Sequence, residues 1–223
     1  MKIVVISDIH SNIDYLRKCM FFIQKERPDK IICLGDIVGY FDQPKQVFDF
    51  LMNKHVHCLC GNHEAMLLDR LLIDEKKEEI YQIKKQRNLF TSDEISIIST
   101  WLPFYTLFTD NIKILCVHGT PWNPLLGYGY KDSQSILNYV SHDFDYVFMG
   151  HTHHPYIMQQ SCGTLVNVGS CGLPRDIGNM PSYSLLNTQT KECYIKRVCI
   201  DIDECCFDKT RIHSSVIECL KRK

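Results

Sequence analysis

Eight side chains able to bind metal or move protons follow apolar runs in this 223-residue sequence. Asp8 and His10 come after Ile3-Val4-Val5-Ile6, and Asp36 after Ile31-Ile32-Cys33-Leu34 and a glycine. Asn62 and His63 follow the run 56–60, His118 follows 112–117, and His151 and His153 follow 145–149. A carboxylate at the end of a buried strand is costly unless positive charge meets it. Carboxylate, imidazole and amide oxygen without thiolate suit Mn, Fe, Ni or Zn in a catalytic site better than a structural zinc. Seven candidate ligands, Asp8, His10, Asp36, Asn62, His118, His151 and His153, are too many for one open site. They suit two divalent ions sharing a carboxylate, with Asp36 as the expected bridge. Two such ions keep a surplus of about two positive charges over Asp8 and Asp36, which favours an anionic substrate such as a phosphoester. Paired ions roughly 3.5–4 Å apart can hold a hydroxide and clamp a phosphoryl oxygen for in-line attack.

These residues can meet only if the runs that carry them lie side by side. Strand 2–6, helix 12–26 with Ser11 as N-cap, strand 31–34, helix 44–53 and strand 56–60 give the order β-α-β-α-β. That order implies parallel strands with right-handed crossovers, and ligands bind beyond the carboxyl ends of such strands. A helical insertion spans about 65–101, and a hairpin pairs 104–108 with 112–117. Helix 133–140 and strand 145–149 follow. Four later strands, 155–159, 164–168, 183–187 and 193–201, suggest a second, more antiparallel sheet stacked on the first, and 210–222 a final helix capped near Ser214. The spacings Asp8-x-His10 and His151-x-His153 suggest extended segments with alternate residues pointing the same way.

Composition narrows the class. Apolar residues make up 45%, charged residues 23% and the net charge is -1, as in an ordinary globular protein read here as one domain over 1–223. No basic surface is implied, so stable nucleic-acid binding is not expected. No run approaches membrane-spanning length and residues 1–6 are too short for a signal core, so a cytoplasmic chain without membrane contact is expected. Twelve cysteines without a CxxC spacing read as reduced thiols, with Cys19, Cys33, Cys116 and Cys199 as small buried hydrophobes. Adjacent Cys205 and Cys206 lack the usual zinc-knuckle spacing.

Asp8-x-His10, Gly35-Asp36-x-x-Gly39, Gly61-Asn62-His63-Glu64, His118-Gly119 and Gly150-His151-Thr152-His153 resemble, in order, the five signature blocks of the calcineurin-like metallophosphoesterases. The small bacterial and archaeal phosphodiesterase branch is the most similar. The resemblance implies an α/β fold, an αββα sandwich of two mixed sheets flanked by helices. It implies one ion on Asp8, His10, Asp36 and His153 and another on Asp36, Asn62, His118 and His151, manganese first, with iron, nickel or zinc as alternatives. It makes His63 the catalytic non-ligand histidine, which stabilises the transferring phosphorus or protonates the leaving oxygen. Asn62, His63 and Arg175 are the candidates to touch substrate. The expected activity is dinuclear metal-dependent hydrolysis of a small phosphodiester, or of a monoester. A protein or nucleotide phosphatase of the same fold and a non-catalytic retromer-like scaffold are the alternatives, and the oligomeric state stays open.

Other residues carry two readings. Arg175 lies in a Gly/Pro loop where its guanidinium could grip phosphate or pair with Asp176. Glu64 either orients His63 or opens a helix. The loop Trp122 to Tyr130 either walls the pocket or forms a small satellite core. His154 sits beside a block, and His55, His57, His142 and His213 read as structural.

Overall fold

Strand β1 (Lys2–Ile6) is buried on both faces because two different layers claim its alternating side chains. In the computed structural model, which describes all 223 residues, Val4 and Ile6 join a cluster with helix α1 (Ile13–Glu26) and helix α2 (Pro44–Asn53). Ile3 and Val5 join the opposite cluster, between two sheets. A period of two, buried on both sides, is what makes the run continuously apolar.

The first sheet has the order β10-β9-β1-β2-β3, with β2 at Lys30–Cys33, β3 at His57–Cys58, β9 at Ser182–Asn187 and β10 at Glu192–Arg197. β1 pairs in parallel with β2, and β2 with β3. β9 runs antiparallel to both β1 and β10. The second sheet has the order β4-β5-β6-β8-β7, from Phe104–Thr109, Ile112–Val117, Tyr146–Met149, Gly163–Asn167 and Tyr156–Gln160 respectively. Its inner face gives Ile112, Ile114, Cys116, Phe148 and Val166 to the inter-sheet core. Its outer face gives Leu115, Val117, Val147 and Leu165 to a smaller core with Ile136 of helix α7 (Gln134–Asn138). The architecture is thus the expected pair of mixed sheets with helices outside.

The division of strands differs from the sequence reading. Strands β9 and β10 return to the first sheet instead of joining the second, and the β4–β5 hairpin opens the second. β9 can return because its own alternation serves two layers: Leu186 enters the inter-sheet core while Tyr183 and Leu185 face the helices. Helix α1 is capped by Asn12, whose Oδ1 accepts from Tyr15 N at 3.2 Å, and not by Ser11. The insertion contains α3 (Asn62–Leu67), α4 (Glu75–Tyr81), α5 (Ile83–Arg87) and α6 (Ser92–Ser99). Gln82, at φ 58°, breaks α4 from α5. Helix α8 is shorter than expected, Ser214–Leu220, with His213 as its cap. Cys199 is exposed, contrary to expectation, because β10 ends at Arg197 and the chain leaves the sheet before reaching it.

Candidate metal centre

All eight strand-end side chains converge at one edge of the two sheets, each at most 6% exposed. Asp8, His10 and His153 form one cluster, His10, Asp36 and His63 a second, and Asp36, His118 and His151 a third, with the ligand atoms of each within 4.8 Å. Asn62 Oδ1 lies 2.9 Å from His118 Nε2. The alternating-residue reading of the two D-x-H and H-x-H spacings is corrected. Asp8, His10, Asp36, His151 and His153 all hold left-handed backbone, with φ between 52° and 63°, so none lies in extended chain. His151 and His153 accordingly turn to different clusters. Left-handed backbone disfavours a side chain and recurs at functional sites.

The donor set calls for cations. His10 Nδ1 lies 3.1 Å from Val38 O and His153 Nδ1 2.5 Å from Leu173 O. Each carbonyl requires an N–H, so both Nε2 atoms carry lone pairs; burial, first of all, keeps both rings neutral. Those two Nε2 atoms face each other at 3.2 Å. Asp8 Oδ1, without any hydrogen-bond donor, lies 3.2 Å from one of them. Three acceptors directed at one another repel unless a cation lies between them. On the other side, His118 Nε2 is 3.1 Å from His151 Nδ1 and 3.4 Å from Asp36 Oδ2. Burial opposes charge on His118, yet Asp36 pushes it up to about 9. Burial and that charge push His151 down to about 3. A proton here supplies the positive charge that a divalent ion would supply instead. The residues therefore fit divalent metal.

His63 belongs to the second cluster, its backbone N–H donating to Asp36 Oδ1 at 2.8 Å and its Nδ1 without a partner. Burial pushes it down to about 4. Its ring packs on Tyr40 and Tyr81 at 5.2 and 4.7 Å between centroids. Beneath it lies Gly39, at φ 94°, where a Cβ would stand 2.2 Å from His63 Nδ1. A small cavity of about 50 Å³ opens here, walled by Tyr40, Tyr81, Tyr128 and Arg175. Arg175 donates to Tyr40 Oη at 3.0 Å and has no carboxylate partner. Asp176 instead takes a two-pronged contact from Arg197 at 2.6 and 3.1 Å. Of the aromatic loop, Tyr128 packs on His151 at 4.2 Å, whereas Trp122 packs on Tyr139 away from the cavity. His154 is turned to the backbone of Thr152.

One supporting residue escaped the sequence reading, and another does more than that reading gave it. Glu64 does not orient His63; it opens α3, as its second reading had it, by capping Gly61, and it reaches further. Its carboxylate accepts the N–H groups of Asp36, Ile37 and Gly61 at 2.7–2.8 Å, tying the β2 loop to the β3 loop. Burial, then Asp36, raises it to about 7. Gln86 of α5 accepts from Ser11 Oγ and Gly39 N and donates to Phe41 O. Its flanking lysines and arginine make it look like part of a solvated helix face, and nothing in the sequence signals its burial.

Two mixed sheets flanked by helices, with a buried histidine and aspartate centre at their shared edge, define the metallophosphoesterase architecture. Residues 1–191 match the family model for the calcineurin-like phosphoesterase superfamily domain, and the chain belongs to that superfamily. The uncharacterized protein MJ0912 of Methanocaldococcus jannaschii is 29% identical over 221 residues, covering 90% of this chain and 88% of that one. Phosphodiesterase MJ0936 of the same organism is 25% identical over 195 residues, covering 86% and 96%. A crystal structure of a metallophosphoesterase from Sphaerobacter thermophilus superposes with a TM-score of 0.79 at 22% identity, covering 99% and 98%. No helix is long and apolar enough to cross a membrane.

Proposed function

We propose that this chain is a dinuclear, metal-dependent hydrolase of small phosphodiesters. Asp8, His10, Asp36 and His153 would hold one divalent ion, and Asp36, Asn62, His118 and His151 the other, with manganese as the first candidate. The opposed, unprotonated Nε2 atoms of His10 and His153 carry this reading, because only a cation relieves them. Paired ions would supply Lewis acidity and an activated water nucleophile.

The chain's own residues do the rest. Arg175 offers N–H groups that no carboxylate occupies, so a phosphoryl oxygen can take them. Neutral His63 can give a hydrogen bond to the leaving oxygen. A bound anionic phosphate raises its proton affinity and so favours the imidazolium, the form that can donate a proton to that oxygen. Tyr40 and Tyr81 hold the imidazole plane, and Gly39 leaves room for it. Asn62, whose Oδ1 lies 2.9 Å from His118 Nε2, would offer that oxygen to the metal and its amide N–H to the substrate. The preference for a diester rests on the likeness to MJ0936.

The test is metal content after reconstitution with Mn²⁺, paired with hydrolysis of an aryl phosphodiester and an aryl phosphomonoester. Two ions per chain and diester cleavage, lost in Asp36→Asn and His63→Ala, is the expected result. Monoester cleavage alone would move the substrate class. Full activity in both variants, or metal binding without turnover on either ester, would refute the enzyme.

A further inference from the structure

Arg175 stands on the loop 173–178, which His153 and Tyr15 hold on the side of the centre, through Arg175 N to His153 O and Tyr15 Oη to Gly178 O, and which the C-terminal segment holds on the other. Pro174 O accepts from Cys219 Sγ at 3.4 Å, and Arg175 O accepts from Arg222 Nη1 at 3.0 Å. Gly178 N donates back to Arg222 O at 3.0 Å. Asp176 is fixed by Arg197 at the end of β10. Backbone meets backbone at Gly178, where a Cβ would lie 2.3 Å from Cys219 O and 2.4 Å from Leu220 O. Helix α8 is itself seated by buried Val216, Cys219 and Leu220. All of these C-terminal partners lie beyond residue 191, where the match to the family domain ends.

We infer that residues 192–223 form a brace that positions Arg175 for phosphoryl binding, with Arg222 as the positioning residue. This rests on the reading of Arg175 as a phosphate contact. The guanidinium lies at the cavity wall, and a loop fixed beforehand spares substrate the cost of ordering it. Arg222 touches neither substrate nor reacting atoms. Its effect passes through the carbonyl of Arg175 and the amide of Gly178.

The test titrates Mn²⁺-loaded protein with inorganic phosphate by calorimetry, alongside steady-state kinetics. Arg222→Ala should weaken phosphate binding and raise KM about fivefold, the size of one or two lost hydrogen bonds, with kcat little changed. Arg222→Lys, which keeps a donor, should recover most of the loss, and Lys221→Ala should match the parent. In an Arg175→Ala background, Arg222→Ala should add nothing. An undiminished loss in that background, or an equal fall in kcat with KM constant, would overturn the brace. Parent protein that binds phosphate without turnover would refute the hydrolase reading and still test the brace. Parent protein that binds no phosphate would overturn the brace as well.

Discussion

Replacing Gln86 by alanine should cost the protein far more than its place in a charged helix implies. The side chain is 2% exposed and makes three hydrogen bonds: from Ser11 Oγ at 3.0 Å, from Gly39 N at 2.7 Å and to Phe41 O at 2.7 Å. The Ser11 hydroxyl can rotate to a new partner. The amide of Gly39 and the carbonyl of Phe41 cannot, and each buried backbone group left unpaired costs roughly 1–3 kcal/mol. Lost methylene and amide packing adds about 1 kcal/mol. Gln86→Ala should therefore destabilise by about 3–7 kcal/mol, a large share of the roughly 5–15 kcal/mol that holds a domain folded. Gln86→Met, with similar volume and no donor, separates the hydrogen-bond part from the cavity. Urea unfolding of metal-stripped protein, followed by circular dichroism, reads both. A loss below about 1 kcal/mol in both variants would show that α5 does not hold the loop carrying Gly39, Tyr40 and Phe41.

Metal should stabilise the fold as well as equip it. At a hundredfold excess over its dissociation constant, Mn²⁺ should add about 2.7 kcal/mol, or roughly 5–10 °C in Tm for a chain this size. His153→Ala should lose most of that gain, and an unchanged Tm in the parent would contradict the lone-pair argument. The Asp176–Arg197 pair, with side chains 26% and 21% exposed, predicts an acid dependence. Burial works against the Asp176 carboxylate, but Arg197 outweighs it and holds the group below its usual range. A depressed carboxyl stabilises the fold above its unfolded value near 4 and loses that contribution as pH falls through its folded value. Asp176→Asn should thus be about 1 kcal/mol less stable at pH 7, with the gap closing in acid. An undiminished gap at low pH would assign the effect to packing.

Much of the site was legible because strand ends are legible. Apolar runs that stop at Gly-Asp, Gly-Asn-His or Gly-His mark where a buried sheet meets its edge, and parallel strands bring those edges together whatever their separation in sequence. Which sheet a strand joins was harder to read. β9 alternates as an antiparallel strand of either sheet would, and only pairing with β1 decides it. The reason given for Asp8-x-His10 was wrong although both residues do meet, because the sequence carries no mark of left-handed backbone at a residue with a side chain. Gln86, and the reach of Glu64 to Asp36 and Ile37, were obscure for a related reason. Their partners are main-chain groups, which leave no pattern of residue types. Arg175 was undecided until Arg197 took Asp176, a contact between loop and strand that local reading cannot supply.

The left-handed turns at Asp8, His10, Asp36, His151 and His153 have an evolutionary consequence. Each costs about 1–2 kcal/mol relative to a residue at ease there, so glycine at any one of them would relax the backbone while deleting a side chain from the centre. Stability and chemistry pull in opposite directions at the same five positions. For a copy of this protein relieved of the hydrolysis proposed for it, erosion of the site is the downhill path. The fold itself, held by the inter-sheet core, would outlast the site.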